Sequence, residues 1–282
     1  LQGGPMYVIR EGLGRRWRFL AYVFAGFGLI GALPVLQANQ LVQILRDVMF
    51  VDNGWLRADG DHLAFNLSAG ILVTLVTGSV IFGGLHRIAG VASRIVTTMS
   101  ALYVGAALTA LVLNLDRVPG VFWLILDDAF SGRAAGGGAL LAVILYGVQR
   151  GAYSNEAGIG TESMAHGAAK TREPVREGLV AMLGPIIDTL LICSATAFII
   201  LLSGVWRMDG AGDGVTRTAA AFEQLLGTPG LVILCLCVVS FAGTTILTYS
   251  FYGTQCASFL FGAHHSQHYR WIYVGFVIVA SV

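Results

Sequence analysis

Residues 149–170 read QRGAYSNEAGIGTESMAHGAAK, a polar, glycine-rich tract between two apolar runs, Ala134–Gly147 and Gly178–Trp206. Backbone that leaves the helix at membrane depth is tolerated only where it is buried in protein or lines a wet cavity. Exposed amides and carbonyls at such a break suit a small zwitterion and a cation, which is how transporters build sites at the midplane. The alternative is a polar loop that ends in a helix start. Both readings need apolar spans on either side, so the surrounding sequence decides what the tract is part of.

Those surroundings are apolar throughout. The chain has 282 residues, 56% hydrophobic and 12% charged. A soluble domain carries about 25% charged residues. The composition excludes a disordered chain, which needs more polarity. A net charge of +1 and the lack of a basic stripe exclude a nucleic-acid binder. The four cysteines, Cys193, Cys235, Cys237 and Cys256, lie in apolar surroundings and read as buried thiols, not as a disulfide framework.

Five stretches are long enough to span: Phe19–Leu45, Ala64–Leu85, Ile95–Leu115, Gly178–Trp206 and Leu231–Gly253. The interrupted segment, 134–166, and a last run, Trp271–Val282, bring the segments to seven. The last run covers about 18 Å against the ~30 Å of a bilayer core. The chain opens on Leu1 with no signal peptide, and both ends read as cuts within a longer protein. The expectation is a single all-α polytopic membrane domain. Val121–Phe130 (VFWLILDDAF) is too short to cross and reads as an interfacial helix. No strong internal repeat is visible, and an inverted repeat would be weak in sequence.

Basic residues order the loops. Arg10, Arg15, Arg16, Arg18, Arg87, Arg94, Arg150, Lys170, Arg172, Arg176 and Arg270 fall on one side, and the acids crowd the other. The positive-inside rule places residues 1–18 and the 86–94, 150–177 and 262–270 loops in the cytoplasm.

Four groups within this frame bear chemistry. Asp188, in GPIIDTLL, sits deep in a span, where a charge is costly without a partner. It reads as an ion ligand, a proton carrier or a structural carboxyl, and Pro185 before it loosens the helix. Glu156 reads as a group that holds the broken segment or serves a gate, with Asn155 beside it. Thr244, Thr245, Thr248, Tyr249 and Ser250 crowd hydroxyls into one span, and Thr245 and Tyr249 share a helix face. Neutral oxygens at that spacing suit a hard cation such as sodium. The alternative is that each hydroxyl bonds a carbonyl one turn back. Gln37, Asn39 and Gln40 follow Pro34 at membrane depth and read either as substrate-binding amides or as interhelical glue.

Three signals are set aside. Gly210–Asp213 (GAGD) lies in a hydrophilic loop, far from any buried second carboxylate. His264, His265 and His268 read as a solvated run, and Cys235 and Cys237 point to different sides of a helix, so no metal beyond sodium is expected. An intramembrane enzyme needs a nucleophile–base pair or two facing carboxylates at one depth. Only Asp188 lies clearly within a span, so no enzyme is expected. A membrane sensor without transport is the remaining rival.

The motifs together resemble the alanine or glycine:cation symporter family. The resemblance rests on Gly3–Ile9 (GGPMYVI), Gln37-Ala38-Asn39, Phe82-Gly83-Gly84 with His86-Arg87-Ile88-Ala89, and Arg150–Lys170 followed by PVREGLVAMLGPIIDTL. It covers nearly the whole chain in order. It implies a LeuT-like inverted-repeat fold, entered before the third core helix and left inside the ninth. It further implies sodium-driven import of a small neutral amino acid, alanine or glycine, across a bacterial inner membrane. No cofactor and no obligatory protein partner are implied. Gln37 matches the family's QAN glutamine, and Thr245 the threonine before its tryptophan, a position held here by Tyr249. The substrate group is then Gln37, Thr245, Tyr249 and the break glycines Gly147 and Gly151, with Thr244 and Thr245 as sodium ligands. Asp188, Glu156 and Asn155 are left as coupling or structural groups, and proton coupling through Asp188 or Glu156 is the alternative mechanism. Two features depart from the pattern: Ala32-Leu33-Pro34 stands where the family has Gly-Asn, and the Thr-Gly-Asn first helix is absent.

Overall fold

The computed structural model describes residues 3–51, 53–57, 60–130, 144–149, 151, 155–208 and 214–282. Arg133, Arg150, Ser154, most of Ala134–Gly147 and Gly210–Asp213 lie outside these. The described residues form an all-α membrane protein. Five helical stretches are long and apolar enough to cross a bilayer: Arg15–Val51, Leu63–Ile81, Gly84–Leu113, Pro174–Ser203 and Thr228–Phe261.

The first stretch is not one helix. After α1 (Pro5–Gly12), α2 runs Arg18–Gly31, and α3 runs Val35–Ile44 before a π-helical turn, Leu45–Val51. Pro34 causes the break, because it has no N–H to give the carbonyl of Ile30. Leu33 donates to Ile30 instead, which deprives the Leu29 carbonyl of its usual donor. The Tyr269 hydroxyl fills that vacancy at 3.0 Å. A carbonyl freed within the membrane is thus satisfied by a neighbouring helix.

Next come α4 (Leu63–Ile81), α5 (Leu85–Leu113) and α6 (Val118–Phe130). Within the 149–170 tract lie two short helices, α7 (Glu156–Ile159) and α8 (Glu162–His166). Gly160 joins them at φ +83°, a left-handed conformation that favours glycine. The next span is α9 (Pro174–Ala181), a helical turn at Leu183–Pro185, π-helical Ile186–Cys193 and α10 (Ser194–Ser203). The π segment follows Pro185 directly, so the loosening expected there takes a definite form. Then come α11 (Val215–Leu226), α12 (Thr228–Phe261) and α13 (Ser266–Ala280).

α12 is the axis of the molecule. At 34 residues it is about 50 Å long. Ala242, Ile246, Leu247, Tyr249, Tyr252 and Cys256 belong to one buried cluster with Met6, Ala25, Ala38, Leu41, Met164 and Tyr273. Leu234 and Cys237 belong to a second cluster with Ile44, Tyr103, Ile199 and Phe222. Both cores therefore meet on one helix.

α13 lies against α12 through two devices. The Tyr273 hydroxyl, fully buried, donates to the Ile246 carbonyl at 2.7 Å. Gly253 sits directly against the Tyr269 ring, where any Cβ would overlap the phenol. Gly253→Ala should therefore cost about 1–3 kcal/mol through overpacking. Thermal unfolding in detergent should show a clearly lowered midpoint, and an unchanged one would contradict this packing.

Candidate functional site

The hydroxyls expected at a cation site lie along the middle of α12. Thr244 is buried and donates to the carbonyls of Ser240 and Phe241 at 2.9 and 3.0 Å. Thr245 donates to Phe241 at 2.9 Å, and Thr248 to Thr244 at 3.0 Å. Ser250 donates to Leu247 at 2.6 Å. Each of these four hydroxyls therefore spends its proton on its own helix. A hydroxyl has one proton and two acceptor lone pairs. Donation backwards leaves the lone pairs for a cation, so intrahelical bonding and cation binding do not exclude each other.

α3 packs against α12. Ala38 and Leu41 share a buried cluster with Ala242, Ile246 and Tyr249. The packing brings the helix of Gln37 against that of Thr245 and Tyr249. Gln37 is half-buried, and its amide forms no hydrogen bond among the described residues. Its neighbours in the row are otherwise engaged. Gln43 donates to Thr216 at 3.3 Å, and the Gln40 amide lies against Gly214. Gln43 thus bonds a neighbouring helix, Gln40 lies against the start of the same one, and Gln37 keeps its hydrogen-bonding capacity. Asn39 is exposed. Near the end of the same stretch, Arg46 donates to Asp47 at 2.7 Å and to buried Asn66 at 3.3 Å.

The broken segment forms a second polar centre. Asn155 caps α7, with Oδ1 accepting the Ala157 N–H at 2.9 Å, and its Nδ2 donates to Thr189 Oγ1 at 3.2 Å. Thr189 lies in the π segment beside Asp188, which is half-buried. Glu156 Oε2 accepts a hydrogen bond from the buried Tyr252 hydroxyl at 2.5 Å. His166 sits between two carboxylates, with Nε2 3.2 Å from Glu162 and Nδ1 2.7 Å from Glu177. The structure thus brings Asn155, Glu156 and the neighbourhood of Asp188 together, and joins them to α12 through Tyr252. Gly147 and Gly151 are exposed, with nothing within 4 Å of a Cβ built at either.

Sequence reasoning does not assign Tyr252, Thr189 or the Glu162–His166–Glu177 triad. Tyr252 and Glu156 are 96 residues apart, so no local spacing announces them. His166 and Glu162 do carry a signal, an i,i+4 pair at a helix start. The rings of exposed His264, His265 and His268 lie 5.6, 6.4 and 6.1 Å apart, the first two on a turn and the third in the first turn of α13. No group of three metal-ligating side chains occurs among the described residues.

A four-residue helix cannot hold itself in water, so α7 depends on its cap. Asn155→Ala should cost that turn about 0.5–2 kcal/mol. Hydrogen exchange at the Ala157 amide should speed up about tenfold; an unchanged rate would show that the cap does not hold the turn.

Comparison with known proteins places this chain in a family. The model of the sodium:alanine symporter family matches residues 1–282. An uncharacterized transporter of Haemophilus influenzae is 39% identical over 97% of this chain and 59% of its own length. The sodium/alanine symporter AgcS of Methanococcus maripaludis is 32% identical, over 99% of this chain and 60% of its own length. The probable sodium/glutamine symporter GlnT of Bacillus subtilis is 34% identical, over 92% of this chain and 52% of its own length. The chain thus spans between half and three fifths of the length of these relatives.

Proposed function

We infer the function from two facts taken together: the chain belongs to the sodium:alanine symporter family, and its hydroxyl-bearing helix packs against the helix that carries Gln37. The chain is the larger part of a cation-coupled amino-acid symporter in a bacterial plasma membrane. The coupling ion is sodium, and the amino acid is small and neutral, alanine before glycine. The single observation that carries this reading is the packing of α3, with Gln37, against the hydroxyl-bearing α12.

Thr244 and Thr245 supply neutral oxygens to the sodium ion, with further ligands from the part of the transporter outside this chain. Gln37 offers donors and an acceptor to the amino acid's charged ends. Tyr249 forms the floor of the pocket, and Gly147 and Gly151, both helical and exposed, complete the substrate group. The mechanism is alternating access in a LeuT-like arrangement of inverted repeats, with this chain running from about the third core helix into the ninth. Sodium favours the outward-facing state, substrate follows, and rocking of the bundle opens both sites to the cytoplasm. The driving energy includes the membrane potential, about 2.3 kcal/mol per charge per 100 mV. Basic residues support a topology with residues 1–18 and the 86–94, 150–177 and 262–270 loops inside. Helix α6 lies in the outer interface, with its apolar start towards the lipid.

One observation supports a second reading. A half-buried carboxylate, Glu156, is bonded to a tyrosine beside the span of Asp188, and such a pair suits proton transfer. Sodium-independent uptake abolished by Asp188→Asn or Glu156→Gln would favour proton coupling.

Thr245→Val keeps the shape and deletes one oxygen. Losing about 1 kcal/mol of ligation raises the sodium concentration for half-maximal uptake about fivefold. An unchanged sodium dependence removes Thr245 from the site. The larger indole in Tyr249→Trp should narrow the pocket and raise the preference for alanine over glutamine in competition uptake. An unchanged ratio means that Tyr249 does not line the pocket.

A further inference from the structure

We propose that the Glu156–Tyr252 hydrogen bond is a latch that ties the broken segment to the sodium-binding helix, making Glu156 a positioning residue for coupling. This rests on the symporter reading above and extends it to groups that touch neither sodium nor amino acid.

Three observations converge. First, Tyr252 shares a helix with the hydroxyls and stands close to their face. It lies seven residues after Thr245, two turns along, and four after Thr248, one turn along. Its ring lies 5.9 Å from that of Tyr249, so packed side chains run from the proposed pocket floor to the latch. A shift or rotation of α12 on sodium binding therefore moves the Tyr252 hydroxyl.

Second, the partner of that hydroxyl sits on a segment with little structure of its own. α7 has four residues. Among the described residues, Tyr252–Glu156 is the side-chain hydrogen bond that joins α7 to α12. On its other side α7 is held by Asn155, whose amide donates to Thr189 in the π-helical part of the neighbouring span. Two adjacent residues thus clip one short helix to two spans. π-Helical turns recur at functional sites, and here the turn receives one of the two clips.

Third, the latch has two states by its own chemistry. A half-buried carboxylate that loses its donor is costly, so Glu156 does not part from Tyr252 gradually. The bond is either made or broken together with a rearrangement of α7. A discrete element of this kind is what transmits occupancy from one site to another.

The test uses the whole transporter in proteoliposomes. It compares parent, Tyr252→Phe, Glu156→Ala, Glu156→Gln and the double variant Glu156→Ala/Tyr252→Phe. Two quantities are read: alanine accumulation at steady state under an inward sodium gradient, and alanine flux without sodium. Tyr252→Phe and Glu156→Ala should each lower accumulation at least threefold and raise sodium-free flux, with sodium half-saturation within twofold of the parent. Glu156→Gln keeps an oxygen for the tyrosine and should recover most of the loss seen in Glu156→Ala. The double variant should be no worse than the worse single one, because both delete the same bond.

Parental accumulation and sodium-free flux in Tyr252→Phe overturn the latch. So do additive losses in the double variant, or a failure of glutamine to recover function. If Glu156→Ala does not fold, Tyr252→Phe, which removes one oxygen, still decides. A parent without sodium-driven accumulation overturns the symporter reading and the latch with it; a driven parent with parental variants overturns the latch alone.

Discussion

Within hydrocarbon a helix gains nothing by hiding leucine from water, and the molecule is built around that constraint. Helices associate there through close approach and through polar groups that find partners on a neighbour. Both devices meet on Thr228–Phe261. Gly253 admits the Tyr269 ring, and Tyr273 donates to the Ile246 carbonyl. Tyr252 reaches Glu156, and the two buried clusters share this helix and no other long one to the same extent. The helix that organises the packing is thus also the one that carries the hydroxyls. A change at the hydroxyls is therefore felt by every element that packs on it.

Much of this architecture was legible in the residues. Five apolar runs match five helical stretches long and apolar enough to cross a bilayer, because length and apolarity suffice for that inference. Their ends were less legible. The run Leu231–Gly253 continues helically from Thr228 to Phe261, since Thr228 and the YGTQCASFLF end cost a helix little even where hydropathy falls. Pro34 foretold a break, but not the tyrosine 235 residues later whose hydroxyl makes that break tolerable, at the carbonyl of Leu29. Pro185 foretold loosening, but not that it would become a π segment holding Asp188 and Thr189. Propensity speaks about a residue and its near neighbours. Compensation across helices lies outside its reach.

The same division holds for the candidate site. The hydroxyl row was visible as a composition anomaly, and it left two readings open. The geometry shows the intrahelical bonding, and a threonine that donates to its own helix still has lone pairs to offer. Gln37, Gln40 and Gln43 look alike in sequence, yet Gln43 and Gln40 meet the start of α11 while Gln37 does not. Glu156 reads in sequence as a holder of the broken segment or a gate group, and the structure bonds it to Tyr252. Its tyrosine stands 96 residues away, beyond any local spacing.

The central claim is that a sodium gradient drives amino-acid movement through the transporter that contains this chain. The most direct measurement is labelled alanine uptake into proteoliposomes with the membrane potential clamped to zero, first under an inward sodium gradient with equal pH on both sides, then under an inward proton gradient with equal sodium. The account predicts transient accumulation above equilibrium in the first condition and simple equilibration in the second. Accumulation driven by protons alone, or by neither gradient in folded protein, would contradict it.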